Sequence, residues 1–486
     1  MGVRAPESLQ AVPYDRSQVT VGIVHFGVGN FHRSHQAMFI DRLLRLNQAQ
    51  EWGICGVGVL PSDAGMRDAL RSQDLEYTLV ERHADGTTPA QRIGSIVEYL
   101  FAPEELEQVL ERLAAPTTRI VSLTVTEGGY NISDATGAFD TANPSMIKDA
   151  ENRDSPETVF GIICAGLDRR RRRGLQPFTV MSCDNIQGNG EIARGCFIAF
   201  AGMYDANLAT WIADNVAFPN SMVDRITPVT TDADRAYVQE AFGTADAWPV
   251  ISEPFVQWVL EDHFTLGRPA FEEVGVQVVS DVRPYELMKL RLLNASHQAM
   301  AYFGMLAGYT YAHEAASDPT IVALLRRYMD DEATETLEPV PGVDIAAYKR
   351  ELIERFANPF VRDTLLRLST DASDRIPKFI VPVARERAAK GDESPLVAAV
   401  IASWAVFAQR ALTGEFVLQD RRTDLVSRAV QRQQADRVGY LRDADWFGEL
   451  AREPGFADDF AHAFDLISTR DADSALSSLL GPTSDS

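Results

Sequence analysis

The spacing of apolar and polar positions changes character part-way along the chain. Residues 19–27, VTVGIVHFG, are apolar and β-branched and then meet glycine, which predicts a buried strand ending in a tight turn. A helical spacing follows from Phe31 to Leu46, and ICGVGVL predicts a second strand over 54–60. Further strand-like runs are YTLVE at 77–81, IVSLTV at 120–125, FTVMSC at 178–183 and VQVVSD at 276–281, while 103–114 and 156–172 read as helices. Strands alternating with helices predict a largely parallel sheet with helices on its faces. From Pro284 onward strand signals nearly vanish, and helical patterns cover 284–307, 318–331, 344–357, 380–390, 394–411 and 456–469. The expected fold class is α/β, with a dinucleotide-binding type of domain over 1–280 and a mainly helical domain over 281–486. The arginine run 169–173 precedes Gly174 and reads as a solvated helix end, its charge complementing the helix dipole.

The first strand ends in Gly27-Val28-Gly29-Asn30-Phe31-His32. A dinucleotide fingerprint asks for three glycines between strand and helix. Two are present, and His32 holds the third place. Gly27 allows the sharp turn, and Gly29 lets the backbone approach a pyrophosphate at the helix N-terminus. After the second strand, Asp63 is the candidate acceptor for the adenosine ribose hydroxyls and would repel the 2′-phosphate of NADP. Ser62-Asp63 capping the next helix is an equally ordinary use.

The most informative stretch is Pro284 to Gly304. Leu287, Met288, Leu290, Leu292, Leu293, Ala295, Ala299 and Met300 spread around a helix, so much of it should be buried. Polar groups on such a helix are costly unless satisfied. At about 100° per residue, Lys289, Glu286, His297 and Asn294 fall at roughly 0°, 60°, 80° and 140° of a regular α-helix. Lys289 and His297 stand about 12 Å apart along its axis. Oxidising an alcohol with NAD⁺ needs a base for the hydroxyl proton, and a lysine serves if burial lowers its pKa. The developing alkoxide needs donors, which an asparagine amide supplies. Glu286, one turn before Lys289, could relay protons.

Composition narrows the partners. With 69 acidic against 46 basic residues the net charge is −23, which argues against nucleic acid or an anionic membrane and suits a small-molecule substrate. Cys55, Cys164, Cys183 and Cys196 form no zinc spacing and are expected to be buried reduced thiols of a cytoplasmic protein. The start carries no signal peptide, and no apolar run long enough for a membrane span is expected.

The turn GVGNFHRSH (27–35), CDN (183–185), FPNSMVDRITP (218–228) and the helix MKLRLLNASHQ (288–298) together resemble the polyol-specific long-chain dehydrogenase/reductases. The resemblance implies an extended Rossmann-type N-terminal domain joined to a mainly α-helical C-terminal domain, without metal and with NAD(H) or NADP(H). By resemblance Lys289 is the general acid/base, Asn185 and Asn294 form the oxyanion hole, His297 orients substrate and Glu286 gates proton exchange. Asp224 lies near the cofactor, Arg375 and Lys378 contact substrate hydroxyls, and Gly27, Gly29, Asn30, Phe31, His32 and Asp63 serve the cofactor. Some members carry Glu just before that aspartate; Ser62 stands there in this chain, which weakens exclusion of NADP(H). His25, His32 and His35 are read as flanking the pyrophosphate, not as metal ligands.

The implied activity is an NAD-dependent polyol 2-dehydrogenase interconverting D-mannitol and D-fructose, with D-arabinitol/D-xylulose and D-sorbitol as related substrates. The alternatives are a hexuronate (fructuronate or tagaturonate) reductase of the same family and a non-catalytic NAD-binding regulatory protein. A monomer is expected.

Overall fold

The computed structural model describes residues 9–133 and 137–481. The chain divides into two compact units, one ending at Arg283 and the other starting at Pro284.

The first unit is built on five parallel strands: Val21–Phe26 (β1), Gly53–Gly58 (β2), Ile96–Phe101 (β3), Ile120–Leu123 (β4) and Thr179–Ser182 (β5), hydrogen-bonded in the order β3-β2-β1-β4-β5. This is the doubly wound order of dinucleotide-binding sheets. All six residues of β1 are buried, as expected of a parallel sheet covered on both faces. Successive side chains serve opposite layers. Val24, Phe26, Val57, Val121 and Leu123 pack into one core, and Ile23, Ile54 and Ile120 into the other.

Some expected elements take a different place. YTLVE and VQVVSD are strands, but Tyr77–Glu81 pairs with Ala90–Ile93 and Val250–Ser252, and Gln277–Val279 joins Gln257–Glu261 and Ser221–Asp224. They form two small three-stranded sheets outside the main one. The helix expected from Phe31 to Leu46 breaks at His35, at φ −120 and ψ −97, into Asn30–Ser34 and Gln36–Arg45. The arginine run is not wholly solvated. Arg170 is buried and donates to the carbonyls of Leu113, Ala115 and Thr118, capping the helix Ala102–Ala114 whose last carbonyls would otherwise lack partners. The four cysteines are free and buried, and burial pushes all four thiols up, Cys196 to about 12.

The second unit is helical throughout its described residues. At its centre lies Ala295–Leu306, buried at every position from Ala295 to Met305. The helix Pro395–Leu412 corrects one expectation: it is long and apolar enough to cross a membrane. Every residue from Leu396 to Ala408 is buried, as in the core helix of a folded domain. The patterns at 284–307 and 318–331 are not continuous α-helices. Each contains a π segment, Lys289–Asn294 and Tyr328–Ala333, following α-helical Arg283–Met288 and Pro319–Arg327.

Candidate active site

In the first unit the strand order reverses at β1, whose neighbours β2 and β4 lead to opposite edges. The crevice beyond the C-terminal ends of such strands is where doubly wound sheets bind ligands. β1 runs into Gly27, at φ +95. A Cβ there would lie 2.1 Å from the Thr124 carbonyl oxygen, so only glycine lets the chain turn so close to the end of β4. Gly29 is under no such constraint. A Cβ on it would meet only the Gly27 oxygen, at 3.8 Å. Nothing in the chain demands glycine at this position, and the open space above it suits the close approach of a pyrophosphate.

His32, at the place of the third glycine, lies flat on His25 from β1 with ring centroids 3.4 Å apart. That stack takes over the helix-to-strand contact that glycine usually permits. His25 sits between Ser122 Oγ at 2.8 Å and Thr124 Oγ1 at 2.9 Å. Burial pushes His25 down to about 3 and His32 well below its ordinary value, so both rings are neutral. Phe31 stacks on His35 at 4.9 Å. The Asn30 side chain, expected to meet cofactor, is engaged with the scaffold. Its Nδ2 donates to the Pro228 carbonyl at 2.8 Å and to Thr230 Oγ1 at 2.9 Å, and its Oδ1 accepts from Arg33 at 2.8 Å.

These bonds fasten the 218–230 segment to the turn. Arg225 adds a bond to the Ser34 carbonyl, and Thr227 Oγ1 lies 2.8 Å from Ser34 Oγ. Asp224 is thereby fixed, buried, at the end of strand Ser221–Asp224. At the end of β2, Asp63 Oδ2 accepts the backbone N–H groups of Val59 and Leu60 at 2.8 and 2.9 Å. It makes no side-chain cap to the helix Ala64–Ser72. The bond to Leu60 reaches back to the N-cap of the short 3₁₀ turn Pro61–Asp63 that leads into that helix. Ser62 is exposed.

Asn185 is exposed just beyond β5. Its turn is held by the preceding residue. The buried Asp184 carboxylate accepts the N–H groups of Val125 and Thr126 at 3.1 and 2.7 Å and the Tyr130 hydroxyl at 2.8 Å. Thr126 lies at φ +66 and ψ 166, a region that ordinarily only glycine occupies, and this carboxylate is what holds it there. Burial outweighs the three donors and pushes Asp184 up to about 6.

In the second unit Glu286, Lys289 and His297 are buried and Asn294 is half-buried. A π segment is an α-helix with one residue inserted, so the chain gains roughly 100° less rotation across it than residue counting assumes. On that correction Asn294 moves from about 140° to about 40° and His297 from about 80° to about −20°, relative to Lys289 at 0° and Glu286 at 60°. The arc holding all four shrinks from about 140° to about 80°. Asn294 Oδ1 has no hydrogen-bond partner among the described residues. His297 packs against the Phe356 ring at 4.7 Å. Burial, then the charges of Arg367, Arg355, Arg375 and Lys289, hold His297 well below its ordinary pKa and keep it neutral.

Residues 21–273 match the family model of the mannitol dehydrogenase Rossmann domain, and residues 281–468 that of the mannitol dehydrogenase C-terminal domain. The chain belongs to the mannitol dehydrogenase family. It is therefore an oxidoreductase of Rossmann type. Mannitol dehydrogenase 2 of Saccharomyces cerevisiae is 49% identical over 401 residues, 82% of this chain and 80% of its own length. Mannitol 2-dehydrogenase of Phaeosphaeria nodorum is 48% identical over 394 residues, 80% of this chain and 69% of its own. Among solved structures, the ternary complex of Pseudomonas fluorescens mannitol 2-dehydrogenase with NAD and D-mannitol is 42% identical. It covers 98% of this chain and 97% of that one, with a TM-score of 0.87. A substrate-free D-sorbitol dehydrogenase is 35% identical over 97% of this chain and 98% of that one, with a TM-score of 0.89.

In this member of the mannitol dehydrogenase family, the cations acting on His297 include Lys289 and Arg375, both singled out in the sequence, and two that are not. Arg375 donates to the Leu368 carbonyl at 3.0 Å and is among the charges acting on His297. Lys378 is exposed and bonds Asp374 at 2.8 Å. Arg367 and Arg355 are among the charges acting on His297, and neither stands out in the sequence. Arg375 and Lys378 lie on the same short helix, Ala372–Phe379, yet Arg375 is half-buried and turned toward Leu368 while Lys378 faces solvent.

Proposed function

We propose that the protein interconverts D-mannitol and D-fructose with NAD, using Lys289 as general base. The observation that supports this reading is the strip of buried Lys289 and His297 with half-buried Asn294 on the π-modified helix of a mannitol dehydrogenase family member. The open space over Gly29 and the carboxylate of Asp63 fit the pyrophosphate and ribose of NAD. When bound, NAD⁺ supplies the acceptor for the hydride that leaves C2 of the polyol.

Lys289 Nζ accepts the C2 hydroxyl proton. Lys289 is buried, so the amine meets the hydroxyl away from bulk water. The Asn294 amide donates to the oxygen as its negative charge develops. His297, being neutral, either donates to or accepts from a substrate hydroxyl and fixes its orientation. Glu286, one turn from Lys289, passes the proton toward solvent. Arg375 and Lys378 bind the remaining hydroxyls, and of the two it is Arg375 whose charge acts on His297. Asp63 repels a 2′-phosphate, but with Ser62 beside it in place of a second acid, NADP⁺ remains a weak alternative. D-Arabinitol and D-sorbitol are side substrates on this reading.

The cations acting on His297 favour a second reading, a hexuronate reductase whose substrate carboxylate they would bind. One of them, Arg367, already pairs with Asp363, which lowers the charge left for such a group. NADH formation measured on mannitol, arabinitol, sorbitol and mannonate, with NAD⁺ and with NADP⁺, decides between the two. Highest kcat/KM for mannitol with NAD⁺ is expected; highest kcat/KM for mannonate would replace this reading with the second.

A further inference from the structure

The π segment Lys289–Asn294 has a defined cost in backbone hydrogen bonds, and the structure shows what meets it. At its end the Ala295 N–H donates to the Leu290 carbonyl, five residues back. The helix then resumes α geometry at Ala295, with bonds reaching four residues back. A ladder that returns from five to four passes over one carbonyl, and here that carbonyl is Arg291's. In a buried helix an unpaired carbonyl is unfavourable. The Tyr328 hydroxyl donates to the Arg291 oxygen at 3.0 Å. Tyr328 is fully buried, and burial keeps its proton in place, so it remains a donor.

Tyr328 is also the first residue of the second π segment, Tyr328–Ala333. The Arg291 side chain crosses back to the same region. Its guanidinium donates to the Thr336 carbonyl, just beyond that segment, and to both oxygens of Glu386. The Arg291 carbonyl thus ties the first π segment to the second, and the Arg291 side chain ties it to the turn that follows the second.

We propose that Tyr328 is a positioning residue for the reaction: by taking up the Arg291 carbonyl, and with Glu386 holding the Arg291 side chain, it fixes the π register that aligns Lys289, Asn294 and His297. The proposal rests on the lysine mechanism given above. Were the register to relax to regular α geometry, Asn294 and His297 would swing by roughly 100° about the axis relative to Lys289. Tyr328 touches none of the reacting atoms and acts through the backbone of residue 291.

The test is Tyr328→Phe, which removes one oxygen and keeps the ring. The kcat of mannitol oxidation should fall at least tenfold while the KM for NAD⁺ stays within twofold. The primary isotope effect on kcat with mannitol deuterated at C2 should rise, because the hydride step has slowed. A merely structural tyrosine would lower Tm and leave both kcat and the isotope effect unchanged, and that result overturns the proposal. If Tyr328→Phe does not fold, Glu386→Gln at the half-exposed end of the clamp takes its place. A two- to fivefold fall in kcat with unchanged KM for NAD⁺ is then expected, and unchanged kcat overturns the proposal. Lys289→Ala assayed in parallel separates the two ideas. Inactive Lys289→Ala with fully active Tyr328→Phe sinks only the positioning role, whereas active Lys289→Ala sinks the mechanism beneath it.

Discussion

The nucleotide turn of the first unit and the catalytic helix of the second solve the problem of placing chemistry in opposite ways. At the turn, steric exclusion does the work. Gly27 adopts a conformation closed to other residues and leaves no room for a Cβ beside the Thr124 carbonyl, so the backbone has one path. On the helix, every residue from Lys289 to Asn294 could continue an ordinary α-helix, and the alignment comes instead from a departure that buried partners sustain. A site fixed by what cannot fit is written in residue types. A site fixed by which carbonyl finds a donor is written in the packing of distant residues.

The largest expected effect falls on the steric side. Gly27→Ala must strain the backbone and push Thr124 away, and it should destabilise the protein by about 3 kcal/mol or more, or prevent folding. Thermal unfolding measures this, and an unchanged Tm would mean that the turn is not sterically fixed. Next comes Asp184→Asn, which takes the charge from a carboxylate serving three donors and should cost about 2 kcal/mol. It should also release Thr126 and the turn that carries Asn185, lowering kcat. A stable variant with unaltered turnover would show that the loop holds itself.

Gly29→Ala sharpens the contrast with Gly27. It has room in the fold, so Tm should move by no more than about 2 °C, yet the KM for NAD⁺ should rise about tenfold, worth about 1.4 kcal/mol of binding. Equal losses of stability at both glycines would erase the distinction between a turn glycine and a ligand glycine.

The smallest effect is in the pH dependence of stability. His25, His32 and His297 have folded pKa values below their unfolded one, so as pH falls below about 6.5 the unfolded chain takes up protons that the native rings refuse. Each ring then loses about 1.4 kcal/mol of stability per pH unit. Two buried carboxyls work the other way. Asp184, raised to about 6, and Glu332, raised to about 7 by burial despite the N–H groups of Leu396 and Val397, lose stability as pH rises through those values. Between about pH 6 and 4.5 three groups oppose two, so Tm should fall modestly on acidification, and more steeply in Glu332→Gln. A Tm that rises over that interval would contradict the assignment of neutral rings to both units.

The same contrast explains what the residues reveal on their own. The strands of the main sheet follow from continuous apolar runs, because a strand buried on both faces needs them, and YTLVE coincides with its strand to the residue. The shift to helical spacing near 280 lies close to the division after Arg283. The edge strand β3 escapes the pattern because Glu98, half-buried within it, interrupts the apolar run. The π segments leave no mark, since KLRLLN has ordinary helical propensities and the bond that matters comes from Tyr328, 37 residues on. Arg367 and Arg355 do not stand out by spacing, and only the fold brings their charges to bear on His297. The Asn30 side-chain bonds are hidden for a related reason, as its partners Pro228 and Thr230 are 198 and 200 residues away.

The central claim is that one buried amine takes the substrate proton, and chemical rescue tests it most directly. Lys289→Ala should lose at least about a thousandfold in kcat, in line with removal of a general base acting in a preorganised site. Added ethylamine should restore part of the rate, increasingly so as pH rises and more of the added amine is neutral. Near-normal turnover of Lys289→Ala without any amine would contradict the account.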